Sequence, residues 1–220
     1  MQRIYLQSDQ VIDYISESII EFIQECVIVN DAKYHHNTDY TSAVSIIKND
    51  ILSLEELNRL RIKKYSEDLL QVMSDNESHA NGSDGISLAV VGLKDLREDE
   101  IEYDPYSTHH IDFVIGSDIK ACRNSVNYGN EYISFERIPI EKIKAVDVRI
   151  AKYIDLLLSK GEIDEQSIKT LIQRYNCIRN IAISLREEGL NIPLREMSYG
   201  NCSSLDIDKV ASSPKLVLKN

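Results

Sequence analysis

Tyr132-Ile133-Ser134-Phe135-Glu136-Arg137-Ile138-Pro139-Ile140-Glu141-Lys142-Ile143-Lys144-Ala145-Val146-Asp147-Val148-Arg149 is the stretch that decides the fold. Up to Ile138 the side chains alternate, the period of a strand with one buried face. Pro139 has no N–H to give a ladder and stops that strand. Ile140 to Ile143 leaves room for a single helical turn. Lys144 to Arg149 then reads as a last strand.

Two more strands lie upstream. Ile86-Ser87-Leu88-Ala89-Val90-Val91 is an apolar run, and Ile111-Asp112-Phe113-Val114-Ile115 is closed by Gly116. Earlier still the period changes. Ile12, Ile15, Ile19, Phe22, Ile23 and Cys26 recur every three or four residues, so Asp9 to Val27 forms an amphipathic helix capped by Ser8 or Asp9. Ala43, Ile46, Ile47 and Ile51 mark a second helix, with Thr38, Asp39 or Thr41 as its cap. Ser53-Leu54-Glu55-Glu56 has capping-box spacing and opens a third helix that runs to Met73. On it, Lys63-Lys64 reads as a solvated face. Ser74 to Gly85 has loop composition.

Downstream, Ile150 to Leu158 and Glu165 to Leu185 are helical. Gly189 closes the second of these and Pro193 bars its continuation. Helices, then strands, then helices without βαβ alternation predict an α+β architecture. The expected organisation is an N-terminal helix over 1–30, an α+β core over 31–150, a C-terminal helical annex over 151–200 and an irregular tail over 201–220.

Composition narrows the function classes. The chain of 220 residues carries a net charge of −11 with 43% hydrophobic residues, an ordinary balance for a globular protein. Nucleic-acid binding draws on clustered Lys and Arg, so that net charge argues against a nucleic-acid partner. No apolar run approaches the ~20 residues of a membrane helix, and Met1-Gln2-Arg3-Ile4-Tyr5 has no apolar signal core. The chain reads as cytoplasmic and without a membrane partner. Cys26, Cys122, Cys177 and Cys202 lack zinc-ligand spacing and read as reduced, mostly buried thiols.

Phosphate loops, dinucleotide fingerprints, zincin helices and nucleophile elbows are all absent from the sequence. His35-His36 and His109-His110 are adjacent pairs whose members point apart, so neither pair by itself makes a metal site. Joined to Asp112, these four histidines define a metal-dependent hydrolase as a lesser alternative.

A different set recurs in order along the chain. Tyr34-His35-His36-Asn37-Thr38 precedes a helix that ends in Ile51-Leu52-Ser53. Gly85-Ile86-Ser87-Leu88 opens a strand. Asn130-Glu131-Tyr132-Ile133 leads through Arg137-Ile138-Pro139 to Ile143-Lys144-Ala145-Val146. Over about residues 34–149 this series resembles the ADP-ribosyltransferase superfamily. There a His-x-Thr strand leads into a helix with an Ile/Leu-rich end, a second strand opens with Ser or Tyr, and a Glu-bearing strand passes through an Ile-Pro turn to a closing strand.

The resemblance implies a split antiparallel sheet with flanking helices, NAD as substrate, and transfer of ADP-ribose to a macromolecular or nucleotide acceptor. Breaking the nicotinamide–ribose bond creates an oxocarbenium-like centre. A carboxylate beside it stabilises the charge and can take the acceptor's proton. By resemblance Glu131 is that catalytic residue. His36 or His35 would bind the adenosine ribose with Thr38 beside it, Ser87 would help hold the nicotinamide half or the catalytic Glu, and Tyr34 or Tyr40 would stack on a ring. Tyr128, Gly129 and Asn130 would meet the target. Which histidine is equivalent stays open, since His35 follows a Tyr while His36 has the His-x-Thr offset. The arginine-modifying branch carries a Ser-Thr-Ser run and a second Glu or Gln two residues before the catalytic Glu. Here that position is Gly129, and the acceptor stays open. The alternative reading is a non-enzymatic acidic interaction protein that binds or inhibits a protein partner through electrostatic complementarity.

Overall fold

Ile111–Gly116 is buried at all six positions, so this strand has cover on both faces and a neighbour on each side. The computed structural model describes residues 3–6, 32–38, 40–63, 85–90, 111–123, 131–149, 164–198 and 201–218. Within them the strands are β1 (Arg3–Leu6), β2 (Ala32–Thr38), β3 (Ile86–Ala89), β4 (Ile111–Gly116), β5 (Cys122–Arg123), β6 (Glu131–Ser134), β7 (Ile143–Val148), β8 (Leu194–Ser198), β9 (Asn201–Ser204) and β10 (Lys215–Leu218). The α-helices are α1 (Tyr40–Asn49), α2 (Leu54–Arg59), α3 (Glu165–Glu187) and α4 (Ile207–Ser212), and Ile140–Lys142 is a 3₁₀ turn.

Eight strands form one sheet in the order β5-β6-β3-β2-β4-β7-β8-β9, and β1 pairs with β10 in a separate parallel ribbon. The architecture is mixed α+β. The sheet is mixed rather than wholly antiparallel. β2 pairs antiparallel with β4, where His35 faces Val114 and Asn37 faces Asp112. β8 runs parallel to β7. A parallel neighbour needs a long crossover, and the connection from β7 to β8 contains the 23 residues of α3.

One face of the sheet carries the apolar core. Tyr34, Phe113, Val146 and Val148 of the sheet join Ala43 and Ile47 of α1 and Leu171, Ile178 and Leu185 of α3 in one cluster. Burying each large aliphatic side chain contributes about 1.5–3 kcal/mol. α3 starts at Asp164, whose carboxylate accepts from Ser167 N–H at 2.6 Å. It ends in a Schellman turn: Leu190 N–H donates to the Leu185 carbonyl and Gly189 N–H to the Arg186 carbonyl, with Gly189 at φ +65°. Gly189→Ala should therefore lower stability by about 1 kcal/mol in urea unfolding, because Cβ penalises that left-handed conformation.

Several sequence expectations change. Residues 3–6 form a strand rather than the start of a helix, and the expected helices over Asp9–Val27 and Ile150–Leu158 lie outside the described residues. The third helix begins as α2, which ends at Arg59, and its expected continuation over residues 64–73 lies outside the described residues. The Tyr132–Ile138 strand stops at Ser134, whose hydroxyl donates to the Glu136 carbonyl and turns the chain, exposing Phe135. The annex is woven in, since β8 lies within the main sheet. The tail is regular: it holds β9, α4 and β10. Asn176 of α3 supplies the missing partner, donating to the Leu216 carbonyl at 2.9 Å and accepting from Leu216 N–H at 3.0 Å. Of the cysteines expected as reduced and mostly buried, Cys202 is buried, Cys177 half-buried and Cys122 exposed, all three are free thiols, and Cys26 lies outside the described residues. Among the described residues, no helix is long and apolar enough to cross a membrane.

Candidate functional site

Strand alternation sends His35 and His36 to opposite faces of β2. His36 and Thr38 face the α1 side. There they line a cavity of about 480 Å³ together with Ser42 and Ile46 of α1, Leu57 of α2, and Gly85 and Ser87 at the start of β3. His36 Nδ1–H donates to the Ser87 carbonyl at 3.0 Å. That bond fixes the tautomer and makes Nε2 the acceptor of the neutral ring. The structure thus brings His36, Thr38 and Ser87 together, and Ser87 meets the histidine through its main chain.

Two tight turns shape the cavity wall. Asp50 ends α1 at φ +71° and Arg61 ends α2 at φ +58°, the two non-glycine residues with positive φ among those described. Each costs about 1–2 kcal/mol relative to ordinary backbone. At Asp50 the tertiary structure offsets it: Ile140 N–H donates to its Oδ1 at 2.9 Å, and Arg137 pairs with Oδ2 at 3.4 Å. Beside it Ile51 and Ile138 exchange two main-chain hydrogen bonds, both 3.0 Å. The end of α1 is thereby fastened to the Ile138-Pro139 turn. At Arg61, Arg61 N–H bonds the Asn58 carbonyl and Ile62 N–H the Leu57 carbonyl, which folds Ile62 and Lys63 back onto the cavity. Lys63, read from sequence as a solvated face, is one of its lining residues.

Glu131 opens β6 opposite Ala89, and Ala89 lies opposite His35. With strands about 4.8 Å apart, the Glu131 and His35 main chains are roughly 10 Å apart in one row across three strands. The Glu131 and Tyr40 side chains lie outside the described residues, as do Tyr128, Gly129, Asn130, His109 and His110. Tyr34 does not wait for a ligand ring: it is buried, with its ring 5.3 Å from that of Tyr132 and inclined at 60°.

His35 has a different role from the one offered for it. Its Nδ1 donates to Asp112 at 2.7 Å on the opposite face of the sheet, where both are buried. Asp112 stands in register with Asp147 on β7, and Asp147 with Arg195 on β8. Arg195 binds Asp147 through two bonds, Nε–Oδ1 at 2.6 Å and Nη2–Oδ2 at 2.8 Å. A row His35–Asp112–Asp147–Arg195 thus crosses four strands, two carboxylates held between two cations or donors. The sequence signal was present, because Asp112 and Asp147 each sit between apolar neighbours. Among the described residues, no group of three or more His, Cys, Asp or Glu is arranged to hold a metal ion.

Burial pushes Asp147 up to about 6, against the pull of Arg195. A carboxyl whose folded pKa exceeds its unfolded value takes up its proton earlier in the native state, so its contribution to stability grows as pH falls from about 6 to about 4. Urea unfolding at pH 7 and pH 4.5 should show the difference between wild type and Asp147→Asn moving toward the wild type at the lower pH, by on the order of 2 kcal/mol.

No family model matches the chain, and neither a curated protein nor a solved structure matches it.

Proposed function

We propose that this chain is an NAD-dependent ADP-ribosyltransferase with an ADP-ribosyltransferase-like core. One observation carries the reading. The three motif-bearing strands come from segments spread over residues 32–134, yet β6, β3 and β2 are consecutive in the sheet, and His36, Thr38 and Ser87 line one cavity. The hydrogen-bonded contact between the Ile51 end of α1 and the Ile138-Pro139 turn joins the first motif to the last.

The chemistry follows from these side chains. His36 Nε2 accepts from a ribose hydroxyl, and the Thr38 hydroxyl lies beside it. The apolar wall from Ile46, Ile51 and Ile86 suits a base, while the hydroxyls of Ser42 and Ser45 suit a sugar. The resemblance, not the cavity, gives Glu131 the remaining role: as the nicotinamide–ribose bond lengthens, its carboxylate stabilises the developing oxocarbenium charge and takes the proton of the attacking acceptor, while its register row is that of His35 rather than of the cavity-lining His36.

The test is incubation of the whole chain with NAD labelled in its adenine ring, alone and with protein and nucleotide acceptors. Nicotinamide release with transfer of label is expected, together with thermal stabilisation by NAD. A chain that releases no nicotinamide and gains no stability from NAD overturns the reading.

A further inference from the structure

We propose that Lys63 is the diphosphate-binding residue of the cavity, a deeper claim that rests on the reading of that cavity as a dinucleotide site. A dinucleotide brings two phosphate charges into whatever space it enters. Among the described residues lining this cavity, Lys63 is the one Lys or Arg. Asp50, the carboxylate on the same wall, is already engaged by the Ile140 N–H and by Arg137, so its charge is partly met from within the protein.

The position of Lys63 is built by the backbone. An αL residue at a helix end is ordinarily glycine or asparagine. α2 instead ends on Arg61 at φ +58°, and the two main-chain bonds of that turn hold Ile62 and Lys63 against the cavity. Without the turn, a helix continuing through Lys63 would carry the side chain onward along the helix surface. Ile62 adds to the apolar wall, and the exposed Lys63 contributes a compact ammonium with three donors, a point charge suited to phosphate oxygens. With the base set against the Ile side chains and the sugar against the Ser side chains of α1, as proposed above, the phosphates fall to the α2 end of the lining, where Lys63 stands.

The experiment uses the whole chain and calorimetric titration of ADP-ribose, ADP and adenosine into wild type, Lys63→Ala, Lys63→Arg and Arg61→Gly. Lys63→Ala should weaken ADP-ribose and ADP roughly tenfold or more, the size of one charge-assisted hydrogen bond, and leave adenosine within about twofold. The wild-type affinity for ADP should fall with added salt, and that of Lys63→Ala should fall less steeply. Lys63→Arg should keep most of the affinity. Arg61→Gly permits the same turn and should bind as wild type.

Unchanged ADP-ribose affinity in Lys63→Ala overturns the assignment, and so does an equal loss of adenosine, which would mark a structural role. Lys63-dependent binding without nicotinamide release from NAD would uphold Lys63 and reject transfer. Transfer with Lys63-independent binding would do the reverse. A wild-type chain that binds none of the three ligands ends both.

Discussion

Glu131→Gln should lower the rate of nicotinamide release by about 10²–10⁴-fold while NAD affinity changes by less than about twofold. The range is that of a positioned carboxylate acting in proton transfer and on developing charge. The amide keeps the shape of the side chain but neither holds a negative charge nor takes a proton, so the loss belongs to the transition state rather than to binding. In steady-state terms kcat falls and KM stays. Urea unfolding of the variant should match the wild type, because the change is isosteric at the first residue of β6. A variant that keeps its turnover would remove Glu131 from the chemistry. A variant that loses turnover together with stability would identify a structural residue. His36→Ala is a useful contrast: it removes a cavity-lining group and should raise KM more than it lowers kcat.

Arg195→Met should destabilise the fold by about 3–5 kcal/mol at pH 7, the range for removing one partner of a buried ion pair. For a chain of this size that corresponds to a fall in Tm of about 10 °C. The reason is what stays behind. Asp147 would keep its buried carboxylate beside Asp112, its register partner, with no guanidinium across the β7–β8 pair. Because burial already pushes Asp147 up to about 6 with Arg195 in place, the lone carboxylate should take up a proton readily. The penalty should therefore shrink at pH 5. The double variant Asp147→Asn/Arg195→Met carries no buried charge at these positions and should be more stable at pH 7 than Arg195→Met alone. Equilibrium urea unfolding of the wild type and these two variants at both pH values decides this. A loss under 1 kcal/mol for Arg195→Met at pH 7 would mean that the row carries little charge.

Local patterns that act over a few residues were legible in the sequence. The apolar run of β4 and its Gly116, the one helical turn between Pro139 and β7, the Ser53 cap of α2 and the Gly189 closure of α3 all follow from periodicity or from one residue's backbone preference. The ordered series His36, Thr38, Ser87 and Glu131 could also be read in one dimension. What failed depended on partners far along the chain. β10 exists because β1 and Asn176 satisfy its main chain, and neither neighbour is visible in Lys215-Leu216-Val217-Leu218. β8 was hidden for the same reason.

The sequence by itself thus determined the α+β composition of elements and the identity of the chemically capable residues, because side-chain period and turn chemistry are local. Tertiary structure alone decided which of them meet. Pairing of β2 with both β3 and β4 gave His35 to a buried ion row and His36 to the cavity, although the two are adjacent in sequence. Alternation along a strand separates neighbours by a full sheet thickness, and only the partners across the sheet determine what each face touches.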